Sequence, residues 1–193
     1  MLNTEDIRKG LEMQYLAGVV KDAGYDCVNG RNYVELRHIV FEIDKPYIFE
    51  ETLLNNPRMD DKWYVENYEP RITNQIDGLV ETIVKNPATR QATLVLARQD
   101  EHETNDHICT MYIHMFLDRI GVDTYSSQYS VNLRSNDAVD FVSDVKWNNK
   151  IYDIIIDKIH EKTGWEIWKT KMIWHADSFQ LSLDDCKKLI DKK

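Results

Sequence analysis

The sequence predicts an α+β fold in one domain spanning residues 1–193, and three observations carry that expectation. Segments of helical period lie near both ends and in the middle of the chain. Three runs of strand character follow one another between residues 92 and 133. No internal repeat, low-complexity tract or Pro/Gly/Ser linker separates them, so an antiparallel or mixed sheet packed by helices accounts for the whole length.

From Thr4 to about Asp22, the residues Ile7, Leu11, Tyr15 and Val19 recur near helical spacing, with Thr4 placed to cap the start and Gly24 after the end. Val34 to Ile43 (VELRHIVFEI) alternates with period two, is rich in β-branched residues and is followed by Pro46, which predicts a strand. A short helix is expected around Met59 to Glu66 and a firmer one from Asn74 to Lys85, stopped by Asn86-Pro87. Ala92 to Arg98, Thr110 to Leu117 and Tyr125 to Leu133 read as strands, which puts Cys109 where a strand begins. A long core helix is expected from about Val145 to Lys162, ending at Gly164. A strand over WEIWKTKMIWHA comes next, then a helix opened by Ser182 with Asp185 three residues on, an aspartate form of the capping box.

Hydrophobic residues make up 42% of the chain and charged residues 30%, and no stretch approaches the roughly 18 uncharged apolar residues of a membrane span. The opening MLNTEDIRKG places acidic residues where a signal peptide has a basic region, with no long apolar run behind them, so a cytoplasmic location is expected. A net charge of −9 without a Lys/Arg run disfavours direct nucleic-acid binding, although one or two arginines in a cleft can still hold a phosphate. Cys27, Cys109 and Cys186 are odd in number and lack metal-type spacing, so free thiols are expected, with neither disulfide framework nor metal site.

The segment NLRSNDAVDFVSD gathers Arg134, Ser135, Asn136, Asp137 and Asp144 between a strand and a helix. An arginine followed by a serine can deliver a guanidinium fork and a hydroxyl to one phosphate, and carboxylates a few residues later can read a polar base edge. A solvated turn rich in Asn, Asp and Ser has the same composition. Cys109 likewise fits either a nucleophile or a small buried hydrophobe, and Asp144 either a ligand to a base or a helix N-cap.

Arg134 to Asp137 (RSND), lying after a strand-start cysteine, resembles the Arg-Ser-x-Asp motif of the thymidylate synthase superfamily, and most closely the form in phage deoxycytidylate hydroxymethylases. KPYIF, KWY, NPATR, HICT, DVKW and IWHADSFQL match in order, covering about residues 30 to 182. The resemblance implies a thymidylate synthase-like fold, trimmed relative to the family, and a homodimer that binds a pyrimidine deoxynucleoside monophosphate. It also implies a thiolate, Cys109, that adds to carbon 6 of the base and turns carbon 5 into a nucleophile for the one-carbon unit of 5,10-methylenetetrahydrofolate. It assigns phosphate binding to Arg134 and Ser135, a further nucleotide contact to Asp137, and a phosphate contact across the dimer to Arg90, where Gln91 replaces the family's second arginine. The catalytic glutamate corresponds to Asp60, and the sugar-binding His and Tyr to Gln180 and Ser182.

The resemblance puts Asp144 where uracil-specific relatives carry asparagine. A protonated carboxyl donates to N3 of cytosine and accepts from its amino group, so Asp144 suits dCMP. The Gly-rich arginine loop, a tyrosine-glycine segment and the synthase C-terminal lid lack counterparts. A dCMP hydroxymethylase is the leading expectation. A dUMP hydroxymethylase or reduced synthase comes second, and a non-catalytic nucleotide-binding or partner protein on the same fold third.

Overall fold

The computed structural model describes residues 1–19, 32–44, 61–98, 101 and 108–191. Among these residues, helices pack on a mixed, 7-stranded sheet in an α+β arrangement. Along the sheet the order is β1 (Leu2–Asn3), β2 (Tyr33–Glu42), β7 (Glu166–Ser182), β5 (Thr124–Leu133), β4 (Thr110–Gly121) and β3 (Thr93–Val95), and β6 (Asn136–Asp137) pairs beside β7. The β1–β2 and β5–β7 pairs are parallel; β2–β7, β5–β4 and β4–β3 are antiparallel.

Helix α1 (Thr4–Leu16) has Asn3, not Thr4, as its cap: the Asn3 side chain accepts from the Asp6 N–H while Asp6 accepts from the Asn3 N–H. It stops at Leu16, short of the predicted Asp22. Gly18 takes a left-handed φ of 67°, its N–H donates to the Tyr15 carbonyl, and the Val19 N–H donates to Gln14. Helices α2 (Asp61–Asn67) and α3 (Glu69–Lys85) come next. The latter begins earlier than expected, with Pro70 in its first turn, where the missing N–H costs nothing. Helix α4 (Phe141–Thr163) also starts earlier than its apolar stripe implies and ends at Gly164, in the left-handed region at φ 73°. It runs beside α3, where Lys150, Lys158 and Lys162 pair with Glu69, Asp77 and Glu81. The final helix, α5 (Leu183–Asp191), has the expected start: the Ser182 hydroxyl accepts from the Asp185 N–H at 3.2 Å and donates to its carboxylate at 2.7 Å. Among the described residues, no helix is long and apolar enough to cross a membrane.

The strand predicted over Ala92 to Arg98 is regular only at Thr93–Val95, at the sheet edge. There the Gln75 side chain accepts from the Val95 N–H and donates to its carbonyl, occupying edge groups that could otherwise recruit another strand. The strand predicted over WEIWKTKMIWHA continues to Ser182.

Side-chain alternation in the sheet is interrupted at one level. On β2 the core-facing residues are Val34 and Leu36 before His38 and Ile39 and Phe41 after it; on β7 they are Trp174 and Ala176, then Phe179 and Leu181. On β5 and β6 they are Val131 and Leu133, then Asn136 and Ala138. Alternation therefore slips by one residue on three neighbouring strands, since Leu133 faces Ala176, Asn136 faces Phe179, and Arg37 and Ile39 face Ser178 and Ala176. His38 absorbs the slip with a φ of 51°. On the third strand the slip falls at Arg134 and Ser135, which leave the ladder.

Below this level Phe41, Phe141, Trp174 and Phe179 pack ring to ring in the core. The opposite sheet face carries a cross-strand row of Val40, His175, Asn132, Tyr112 and Val95. Of these, Val40 is 39%, Tyr112 42% and Val95 52% exposed.

Candidate functional site

Hairpin β4–β5 explains how Cys109 meets the RSND segment. Thr110 pairs with Leu133, and one step beyond the ladder the Arg134 N–H donates to the Cys109 carbonyl at 3.0 Å. Because the alternation slips here, Ser135 turns toward the thiol, with Cys109 Sγ 3.4 Å from Ser135 Oγ. Arg134 lies along the same stretch, its Nε donating to the Ile108 carbonyl at 3.2 Å. Burial pushes the Cys109 thiol above its ordinary pKa; the Ser135 hydroxyl and the Arg134 charge pull it down, while Asp144 and Asp140 add to the rise.

A second group lies beneath. Asp144 is inside the first turn of α4, not ahead of it, and Asp140 takes the N-cap position, so Asp144 is not the helix cap. Asp144 is 4% exposed and its carboxyl is held from two sides: Tyr64 of α2 donates to Oδ1 at 2.7 Å, and Asn136 of β6 donates through Nδ2 to Oδ2 at 2.6 Å. Trp174 of β7 donates through Nε1 to Asn136 Oδ1 at 3.0 Å. Burial raises the Asp144 carboxyl to about 7 against the pull of the Tyr64 and Asn136 hydrogen bonds, with the Asp140 and Asp137 charges adding to the rise. A protonated carboxyl at neutral pH can donate as well as accept.

An aromatic cluster closes the far side. Trp147 stacks on Tyr64 and meets Tyr68 edge-on, and the Tyr68 hydroxyl accepts from the Thr110 N–H at 3.4 Å. Burial drives both tyrosines well above their ordinary pKa, so they are neutral hydroxyls here. Two buried polar groups beside this cluster, Trp147 Nε1 and Thr110 Oγ1, have no hydrogen-bond partner among the described residues. Buried polar groups are normally satisfied, so these two are exceptions within the cluster.

No protein-family model matches the sequence, and no curated protein matches it significantly. The chemistry of the site is therefore what speaks to function.

The fold brings Cys109, Arg134, Ser135 and Asp144 into one neighbourhood. Asp137 is alongside but shapes the turn into α4, its Oδ1 accepting from the Val139 N–H at 3.0 Å. Gln180 pairs with Asp137 across β6–β7, and its carbonyl accepts from the Ala138 N–H. Ser182 has its hydroxyl engaged in the α5 cap. Arg90 is exposed in the turn before β3, where its carbonyl meets His114 Nε2 at 3.0 Å. His114 is five residues beyond Cys109, roughly 15 Å along β4, so this chain's own fold does not carry Arg90 to Ser135. Asp60, Cys27 and Lys45 to Phe49 lie outside the described residues. Sequence reasoning misses Tyr64, Tyr68 and Trp174 as members of the site. Tyr64 and Tyr68 are spaced i, i+4, a signal that could have marked one shared face.

Proposed function

We propose that this chain is a pyrimidine nucleotide hydroxymethylase that acts on carbon 5 of dCMP through a Cys109 adduct. One arrangement carries the reading: a thiol 3.4 Å from a serine hydroxyl and beside an arginine stands next to a buried carboxyl that Tyr64 and Asn136 hold from two sides. Once it loses its proton, such a thiol adds as the thiolate to carbon 6 of the pyrimidine, moving the electron pair of the 5,6 double bond onto carbon 5. Ser135 and Arg134 favour the thiolate, and both suit the nucleotide phosphate. Asp144 in its neutral form offers cytosine a donor and an acceptor.

5,10-Methylenetetrahydrofolate, the one-carbon donor that the resemblance implies, needs a face beside the base. The described aromatic residues grouped near Cys109, namely Tyr64, Tyr68 and Trp147, are buried and pack against one another, so they offer a folate no open ring face. The chemistry derived from this chain's own residues is activation of carbon 5. A second reading, a nucleotide-binding protein without one-carbon chemistry, is favoured by that packing and by the burial that keeps Cys109 a thiol. A homodimer is part of the proposal: the row from Val40 to Val95 offers a sheet face, and a second chain would supply Arg90 to the phosphate.

Release of tritium from carbon 5 of labelled dCMP and dUMP, with and without methylenetetrahydrofolate, tests these readings. Cys109-dependent release from dCMP in excess of dUMP is expected, and stimulation by the folate separates transferase from binder. Absence of release from both nucleotides at saturation overturns the covalent mechanism.

A further inference from the structure

We propose that Asn136, pinned by Trp174, is a positioning residue that decides which oxygen of Asp144 carries the proton, and thereby sets discrimination between cytosine and uracil; this deepens the nucleotide reading above and rests on it. A neutral carboxyl is ambiguous by itself. It presents one hydroxyl and one carbonyl oxygen, and moving the proton from one to the other converts a match for cytosine into a match for uracil. Some fixed neighbour has to break that symmetry.

Asn136 can do so because its own orientation is determined. The indole N–H of Trp174 is donor-only, so the atom it meets at 3.0 Å is the amide oxygen of Asn136. The amide nitrogen then faces Asp144 Oδ2 at 2.6 Å and can only donate. Asn136 and Trp174 are 2% and 0% exposed, so water does not offer the amide an alternative partner. A fixed donor favours Oδ2 as the carbonyl oxygen and leaves the proton to Oδ1. The partner of Oδ1 is different in kind: Tyr64 donates at 2.7 Å, and a hydroxyl can rotate to donate or accept. One oxygen is thus held as acceptor and the other can carry a proton offered to a ligand. Asn136 contacts no ligand in this scheme and works through Asp144.

Trp174→Phe removes the indole donor and frees the Asn136 amide to turn over; Asn136→Ala removes the amide and keeps the indole. Dissociation constants for dCMP and dUMP are measured on the wild type, on each variant and on the double variant, after circular dichroism has established that each is folded. The wild type is expected to discriminate by at least about tenfold, and each variant to come within about threefold of no preference. The double variant is expected to lose no more than either single one, because both act through one hydrogen bond. A packing defect would weaken both nucleotides together and keep their ratio, which overturns the proposal. If Trp174→Phe does not fold, an unchanged ratio in Asn136→Ala overturns it equally. A wild type that binds neither nucleotide overturns the nucleotide reading and this proposal with it; a discriminating wild type with unchanged variants overturns this proposal alone.

Discussion

Cys109 Sγ and Ser135 Oγ lie 3.4 Å apart, across the point where a β-hairpin gives way to the RSND segment. The hydroxyl counteracts the burial that raises the thiol pKa, as does the Arg134 charge. Ser135→Ala is therefore expected to slow iodoacetamide alkylation of Cys109 several-fold near pH 8 and move its pH profile to higher pH, with Arg134→Gln shifting it the same way. Peptide mapping isolates the signal. Cys186, buried and pushed up to about 12, stays unreactive. An unmoved profile in both variants would show that neither group supports the thiolate.

Cys109→Ser is expected to abolish tritium release from carbon 5 and leave nucleotide affinity within about threefold, since a serine hydroxyl near its free pKa is a far weaker nucleophile than a thiolate. Equilibrium binding and exchange on one preparation check this. Retention of most of the exchange would remove Cys109 from the mechanism.

On sequence grounds, Asp144→Asn should shift preference from dCMP toward dUMP. The Asn136 amide changes that expectation, because it holds an acceptor opposite its N–H and so orients the new amide with oxygen toward Asn136 and NH2 toward Tyr64. That polarity still suits cytosine. Asp144→Asn alone is thus expected to weaken dCMP binding yet retain its lead, and addition of Trp174→Phe should move preference toward dUMP by about 5- to 150-fold, equivalent to roughly 1–3 kcal/mol. Competition between the two nucleotides decides the matter, and a full switch in the single variant would contradict the fixed orientation of Asn136.

The same carboxyl makes stability depend on pH. Its folded pKa of about 7 is above the unfolded value of 3.8, so the folded state holds more protons between these limits. Its contribution is fully present below pH 3.8 and lost as pH rises through about 7. Asp144→Asn cannot ionise, so its stability relative to wild type should improve between pH 4 and pH 8, on the order of 4 kcal/mol at most. Urea unfolding of both proteins at the two pH values measures the difference, and a constant one would mean that Asp144 is ionised throughout.

Sedimentation at micromolar concentration is expected to show a dimer, and Tyr112→Asp to dissociate it, because a carboxylate would be buried in the middle of the exposed row. Arg90→Ala should lower dCMP affinity without changing the ratio to dUMP. A monomeric wild type would exclude a cross-chain role for Arg90.

The sequence by itself determined the elements whose cause is local. Period-two alternation marked β2 and the β4–β5 hairpin, Gly164 marked the end of α4 and Ser182-Asp185 the start of α5, because each signal acts over a few residues along the chain. Spacing also put Cys109 at the start of a strand and Arg134 at the end of the next, so their meeting comes from the hairpin. The Asp144 network was decided by tertiary structure alone. Tyr64, Asn136, Asp144 and Trp174 come from four elements, and Tyr64 is 80 residues from its partner, so their hydrogen bonds leave no periodic trace. The slipped alternation at His38 and Arg134 belongs to the same class: it is a compromise among three paired strands, and no one of them contains it. Whether Asp144 caps the helix or lies inside its first turn depended on where α4 began, and there Phe141 packs against Trp174 and Phe179 in a core the local pattern does not contain.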